Sequence, residues 1–210
     1  GAVRVIARML GLPAGDGEMF RGWVHGLVEE AILDDAAMVR TLAEMTAYLL
    51  DQVEQRRKSP TDDLISYLVA ARIDGAPLTD NHILGTLRLL LIAGIDTTWS
   101  GIGACLWHLA KTPADRHRLV AEPALMPTAI EEFLRAYSPV TMARLIAKDT
   151  VVGGCPYEKG QMVLLSFPAA NRDPAVFPDA DKVILDRKEN RHAAFGLGIH
   201  RCVGSNLARP

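Results

Sequence analysis

The stretch Phe195-Gly196-Leu197-Gly198-Ile199-His200-Arg201-Cys202-Val203-Gly204 is the most specific segment of this sequence. Three glycines at fixed positions occur by chance in roughly 3 of 10,000 windows when about 7% of residues are Gly. Glycine permits a tight turn whose N–H groups face one sulfur atom, and a helix that follows Cys202 places its positive end beside that atom. Both effects favour a thiolate, which is a soft anionic metal ligand. The segment therefore predicts that Cys202 binds a metal.

The other two cysteines, Cys105 and Cys155, lack such a loop and are expected to be inert, buried, apolar residues. Three cysteines cannot all pair, and no CxxC motif or signal peptide is present. A reducing, cytoplasmic location is expected for this reason.

Composition favours a helical protein and excludes several classes. Of the 210 residues, 49% are hydrophobic and 23% charged, which rules out disordered and collagen-like chains. Only 6% are aromatic, which favours packed helices over an aromatic-rich β-sandwich. The net charge of −2 leaves no excess of basic residues to neutralise a phosphate backbone, so nucleic-acid binding is not expected. Residues 181–210 form a local exception, with six Lys/Arg against three Asp/Glu.

Hydrophobic periodicity predicts a mainly α fold with a small β region. The longest predicted helix covers residues 81–111 and is apolar on all faces, as in a buried central helix. Its uncharged run, residues 89–95, is too short to span a bilayer, so no membrane is expected. Short strands are predicted at residues 142–146, 151–152 and 162–167.

An acid and two threonines interrupt the long helix at Ala93-Gly94-Ile95-Asp96-Thr97-Thr98. The Thr97 hydroxyl is expected to bond to the carbonyl of Ala93 or Gly94, loosening one turn. With space provided by Gly94, the resulting notch would hold dioxygen and a water; a satisfied polar kink is the alternative.

Glu132 and Arg135 form a third motif, an acid and a base three residues apart on one predicted helix. On its own this spacing is typical of a solvated surface pair.

The order of the three motifs resembles the cytochrome P450 haem-thiolate monooxygenases, in particular their soluble bacterial members. Intervening pieces also resemble the family, namely residues 170–174, residues 177–179 and Arg187. The resemblance implies a partial cytochrome P450 fold, with a long central helix, a Glu-x-x-Arg helix and a Cys-ligand loop. It also implies insertion of one atom of dioxygen into a small apolar substrate, with electrons from NAD(P)H.

The resemblance assigns haem b (iron protoporphyrin IX) to the Cys202 loop. Cys202 would be the iron ligand, and Phe195 and Gly196 would lie beside its sulfur. His200 and Arg144 would bind the haem propionates.

On the opposite side of the haem, Asp96 and Thr97 would form a proton relay to dioxygen. Glu132, Arg135 and Arg187 would be a buried structural network that holds the Cys202 loop. Apolar residues would contact the substrate: Leu89, Ile92, Ala93 and Val140.

The same resemblance implies partners and a domain boundary. The basic segment around Arg191 and Arg201 would dock an acidic ferredoxin or a flavodoxin-like donor. Because family members are considerably longer, residues 1–210 are expected to be a single incomplete domain, truncated at both ends. Such a piece would retain the motifs without an enclosed pocket.

Two alternatives of other classes remain open at this point. One is a non-catalytic helical binding or scaffold module in which Cys202 and His200 are structural. The other is a zinc site that uses the same pair, although no further Cys or His lies at a suitable spacing.

Overall fold

A computed structural model describes residues 1–209, and the elements below are those of that range. The helices are α1 (Ala2–Leu10), α2 (Gly17–Val28), α3 (Asp35–Lys58), α4 (Leu64–Ala70), α5 (Asp80–Lys111), α6 (Pro113–Ala121), α7 (Met126–Ala136), α8 (Phe167–Ala170) and α9 (Ser205–Ala208). The strands are β1 (Arg72–Ile73), β2 (Ala76–Pro77), β3 (Thr141–Leu145), β4 (Thr150–Val152), β5 (Cys155–Tyr157) and β6 (Met162–Ser166). The expected class, mainly α with a small β region, is confirmed.

The chain divides into two compact units, residues 1–99 and residues 100–210, which are described separately. The first unit has an apolar core in which α1 to α4 pack around the first half of α5. Its buried members are Ile6, Ala7, Leu10, Leu12, Phe20, Trp23, Val24, Met45, Leu49, Val53, Ile65, Ile83, Leu84, Leu87, Leu91 and Ile95.

Helix α1 ends before Gly11, where the backbone lies close to the side chain of Asp63. Gly11 has φ +77°, and a Cβ at this position would lie 2.2 Å from Oδ2 of Asp63. Asp63 in turn caps α4, since its Oδ1 accepts the Ser66 N–H at 2.7 Å, and it accepts Nε–H of Arg56 at 3.0 Å. Only glycine fits both the backbone angle and the space.

Helix α5 begins at Asp80, one residue before the predicted start, and ends at Lys111 as predicted. The Thr79 hydroxyl accepts the N–H of His82 at 3.3 Å and so caps the helix. One face of α5 is buried, and its buried apolar residues are Ile83, Leu84, Leu87, Leu91 and Ile95. The expectation that α5 is buried on every face is wrong for this chain: Leu89 is 66% exposed, because no element in the described range covers that side.

By length and composition alone, α5 would also be able to cross a membrane. Its most apolar window has a mean hydropathy of 1.5, and 11% of that window is buried. This is weak support for a span, since core helices of soluble proteins pass the same test.

The second unit has a smaller apolar core and two short sheets. Its core contains Leu119, Ala129, Phe133 and Leu185. Strands β3 and β6 pair antiparallel, with Thr141 opposite Ser166, and β4 and β5 form a hairpin. The strand predictions for residues 142–146, 151–152 and 162–167 are confirmed to within one residue.

One local prediction needs correction. Cys155 is exposed, not buried, because β5 belongs to a two-stranded hairpin. The stretch after α4 is a small hairpin of β1 and β2. Asp74 and Gly75 connect these strands with φ of +51° and +80°, the geometry that an Asp-Gly pair favours.

Candidate functional site

The Cys202 loop is a tight backbone turn closed by its own hydrogen bonds. Gly196 and Gly198 both have φ +68°, which glycine adopts without strain. The Cys202 N–H donates to the carbonyl of Phe195 at 2.8 Å, and the Gly196 N–H donates to Ala193 at 2.8 Å. The helix expected after Cys202 is α9, Ser205–Ala208.

The Cys202 thiol is exposed and stands among exposed apolar side chains. Leu197 is 72% exposed, Ile199 95% and Val203 88%. A single thiolate with an apolar rim suits a flat, largely apolar metal macrocycle such as haem. Zinc needs four ligands, and residues 1–209 contain no group of three or more His, Cys, Asp or Glu placed to hold a metal ion.

Glu132 and Arg135 form a fully buried ion pair, not a solvated one. Nε and Nη2 of Arg135 donate to the two carboxylate oxygens of Glu132, each at 2.8 Å. The remaining donors of Arg135 reach three backbone carbonyls, those of Asn171 at 2.8 Å, Ala180 at 2.7 Å and Lys182 at 2.7 Å. This fork of hydrogen bonds joins α7 to the loop that follows α8.

Arg187 completes the same network from the next segment of chain. Its Nε donates to Glu132 Oε2 at 2.9 Å and its Nη1 to the carbonyl of Pro178 at 2.8 Å. The Ile184 N–H also donates to Glu132, at 2.8 Å, and the Asn190 amide does so at 3.1 Å. Burial would raise the pKa of Glu132, but Arg135, the Ile184 N–H and Arg187 outweigh it and lower that pKa. Glu132 is therefore a carboxylate that anchors residues 171–190, which lead into the Cys202 loop.

The structure places the two expected propionate ligands on different elements of the second unit. Arg144 lies half-buried on β3 and donates from Nη1 to the carbonyl of Ala143 at 2.8 Å. His200 is exposed at the end of a short 3-10 turn, Gly198–His200. Val140 is half-buried immediately before β3.

The Asp96–Thr97 motif lies in the first unit. The Thr97 hydroxyl donates to the carbonyl of Ala93 at 2.8 Å, which is the bond that the sequence predicts. The space beside Gly94 holds no notch, however. A Cβ there would lie 2.4 Å from Cδ1 of Ile6, so α1 fills that side of α5.

The expected substrate contacts differ in exposure. Leu89 and Ala93 are exposed, and Ile92 is half-buried against the core of the first unit.

Sequence reasoning missed a second polar cluster beside the Cys202 loop. Glu131, next to Glu132, accepts hydrogen bonds from His192 and Arg209. Neither His192 nor Arg209 belongs to one of the three sequence motifs. Their positions at the two ends of the Cys202 loop were the available signal.

This cluster borders a cleft of about 350 Å³. The cleft is lined by Glu131, Asn190, Arg191, His192, Phe195, Gly196, Leu197, Gly198, Arg201 and Arg209.

Comparisons with known proteins agree on one family. A sequence model described as "Cytochrome P450" matches residues 19–210. The chain is 37% identical to "Mycinamicin IV hydroxylase/epoxidase" of Micromonospora griseorubida, over 99% of this chain and 53% of that protein. It is 39% identical to "Vitamin D(3) 25-hydroxylase" of Pseudonocardia autotrophica, over 99% of this chain and 52% of that protein.

The solved structure of the Bacillus subtilis 168 cytochrome P450 PksS is also similar, with a TM-score of 0.92 and 34% identity. That match covers 99% of this chain and 54% of the PksS chain. The chain thus spans about half the length of the relatives it matches. Since the family model covers most of the sequence and the Cys202 loop has the expected motif, the chain belongs to the cytochrome P450 family.

Proposed function

We propose that the protein containing this chain is a haem-dependent monooxygenase that inserts one atom of dioxygen into an apolar organic substrate. The observation that carries the proposal is the Cys202 loop: an exposed thiol on a turn with two positive-φ glycines, closed by the Cys202 N–H to Phe195 bond. The buried Glu132 network next to it supports a loop of fixed shape.

The group that we assign to this loop is haem b, held through the Cys202 sulfur. When bound, it supplies the iron at which dioxygen is activated. Phe195 and Gly196 shape the turn that presents the sulfur. His200 and Arg144 are cationic or hydrogen-bonding side chains of the kind that bind carboxylates, and we assign them to the haem propionates.

Asp96 and Thr97 have the chemistry of a proton relay. The Thr97 hydroxyl donates to the Ala93 carbonyl, which leaves the lone pairs of its oxygen free to accept a hydrogen bond from a proton donor and so to position that donor. Asp96 is half-buried on the same turn and supplies the acid.

An apolar substrate fits the side chains that the resemblance points to. Leu89, Ile92, Ala93 and Val140 carry no hydrogen-bonding side-chain groups. Relatives support the same class by their names: a hydroxylase of mycinamicin IV, a hydroxylase of vitamin D(3), and a Bacillus megaterium cytochrome P450 solved in complex with testosterone, 38% identical to this chain.

We further propose that electrons from NAD(P)H arrive through an acidic ferredoxin or flavodoxin-like protein. Arg191 and Arg201 are exposed at the cleft beside the Cys202 loop, and neither forms an ion pair with any residue in 1–209. Unpaired cations attract an acidic surface and steer its approach. A cytoplasmic location and membership of residues 1–210 in a single haem-binding domain belong to the same proposal.

The test is optical. The haem-loaded protein that contains this chain is reduced and exposed to carbon monoxide, and wild type should show the red-shifted Soret band of a thiolate ligand. Cys202→Ala should abolish that band, whereas Cys155→Ala, a matched change at an exposed cysteine, should leave it in place. Absence of haem binding in wild type, or coordination through nitrogen, would contradict the proposal and favour a helical binding or scaffold module.

A further inference from the structure

One carboxylate ties together the two ends of the Cys202 loop. Nε2 of His192, before the loop, lies 3.0 Å from Oε2 of Glu131, and Nη2 of Arg209, after the loop, donates to the same oxygen at 3.0 Å. Arg209 Nε also donates to Oε1, so the guanidinium pairs with both oxygens. Glu131 belongs to α7, the helix that carries the Glu132 network. Both ends of the Cys202 loop are thus held against α7 by hydrogen bonds to Glu131.

The tautomer of His192 follows from its neighbours. Its side chain is only 3% exposed, and Nδ1 accepts the N–H of Ala194 at 3.2 Å. The imidazole proton is therefore on Nε2 and faces Glu131. Burial lowers the pKa of His192, which favours the neutral ring. Among residues 1–209, Arg209 is the permanently charged partner of Glu131.

The ring of Phe195 lies near both of the side chains that Glu131 binds. The Cζ atom of Arg209 is 4.6 Å from the centroid of the Phe195 ring, within the range of a cation–π contact. The His192 ring centroid is 6.2 Å from the same centroid. Since the Phe195 carbonyl accepts the Cys202 N–H, a shift of Phe195 would move the backbone that presents the sulfur.

Arg209 also interacts electrostatically with the thiol. Its pKa is raised, chiefly by the hydrogen bond to Glu131 and to a smaller extent by the charge of Cys202. Glu131 has its pKa lowered, first of all by Arg209, and is therefore a carboxylate at neutral pH. The sulfur is accordingly within the field of a fixed guanidinium whose strength depends on its counter-ion, Glu131.

We infer that Glu131, His192 and Arg209 are positioning residues for the thiolate, and that the Glu131–Arg209 pair sets how strongly Cys202 donates electrons to a bound haem iron. The inference rests on the proposed function. A cation beside the sulfur stabilises the more electron-rich, reduced state of the site and raises its reduction potential. A carboxylate beside the cation partly cancels that effect.

The experiment measures the reduction potential of the haem-loaded protein. Arg209→Met removes the cation but keeps an unbranched side chain over Phe195, and it should lower the potential. Glu131→Gln removes the counter-ion but keeps an acceptor oxygen, and it should raise the potential. Each shift should change the ratio of reduced to oxidised protein at fixed potential by about threefold or more, as expected when one charge that interacts with the thiolate is removed.

Two further variants separate charge from mere stability. Arg209→Lys keeps the positive charge and should retain most of the wild-type potential, although Lys cannot form the paired hydrogen bonds. Lys188→Gln removes one exposed positive charge from the same segment and should leave the potential unchanged.

Opposite shifts in Arg209→Met and Glu131→Gln support the inference. Unchanged potentials, or shifts in the same direction, overturn it, because a loosened loop acts the same way in both variants. If Arg209→Met does not fold, Glu131→Gln alone decides: the inference requires a rise. A wild-type protein without the thiolate Soret band overturns the proposed function first, before any variant is compared.

Discussion

Gly94 and Ile6 share one space: a Cβ on Gly94 would lie 2.4 Å from Cδ1 and 2.8 Å from Cγ1 of Ile6. Both atoms belong to a side chain that is 7% exposed in the core of the first unit. Glycine in the acid-and-threonine motif of α5 therefore serves helix packing, since it lets α1 approach the α5 backbone.

Gly94→Ala is expected to destabilise the protein by about 1–3 kcal/mol, the usual range for overpacking a core. Urea unfolding measures this change. Ile6→Ala costs stability by itself, but in the double variant the two effects should not add, because the clash is removed. Full additivity would contradict the packing role.

The control for this prediction is Gly85→Ala on the same helix. No atom lies within 4 Å of a Cβ built at Gly85. Alanine there should stabilise α5 by up to about 1 kcal/mol, the difference in helix propensity.

Glu132→Gln is expected to destabilise the protein by about 3–5 kcal/mol. The change leaves Arg135 and Arg187 as buried cations without a carboxylate, and both side chains are at most 7% exposed. The measurement is again urea unfolding, together with amide hydrogen exchange in residues 171–190.

The matched control is Glu122→Gln, which breaks an ion pair with Arg118 at the protein surface. Glu122 and Arg118 are 54% and 38% exposed, so the free energy of unfolding should fall by less than about 1 kcal/mol. An equal loss of stability in Glu132→Gln and Glu122→Gln would contradict the prediction that the buried ion pair contributes more than the exposed one.

Acid should weaken the first unit through Asp63. Burial would raise the pKa of Asp63, but bonds from Thr61, the Ser66 N–H and Arg56 lower it from 3.8 to about 2. A folded pKa below the unfolded one gives stability that is present above the unfolded value and is lost as the pH falls from about 4 to 2.

Asp63→Asn keeps a cap for α4 but has no charge for Arg56, and it should cost about 2 kcal/mol at pH 7. The difference from wild type should shrink as the pH falls from 4 to 2. Asp62→Asn, at the exposed neighbouring position, should show no such pH dependence relative to wild type. A constant difference for Asp63→Asn across this range would contradict the linkage.

Thr97→Ala should lower the yield of oxidised product per dioxygen consumed, if the proposed function holds. Loss of a positioned proton donor costs about a hundredfold in rate or more, and unused reducing equivalents should appear as hydrogen peroxide. Thr97→Ser retains the hydroxyl and should retain most of the yield.

Thr86→Ala is the matched control for Thr97. The Thr86 hydroxyl makes the same type of bond within α5, to the His82 carbonyl at 2.7 Å. An equal fall in product yield for both alanine variants would contradict a specific role of Thr97.

The bounds of α5 were predictable because helix periodicity, caps and proline breaks act over neighbouring residues. The Thr97 bond to Ala93 was predictable for the same reason, since both residues lie on one turn. The family was evident in the order of the three motifs, of which the glycine loop around Cys202 is the most specific.

Tertiary structure decided the partners. The spacing of Glu132 and Arg135 alone is typical of a surface pair, and the structure buries Glu132 by placing Arg187, 55 residues away, beside it. His192 and Arg209 reach Glu131 from 61 and 78 residues along the chain. The local pattern of apolar residues determines which residues form a helix. Side chains so far apart in sequence meet only through the packing of the whole unit, and no periodicity in the sequence indicates which of them will bind the same carboxylate.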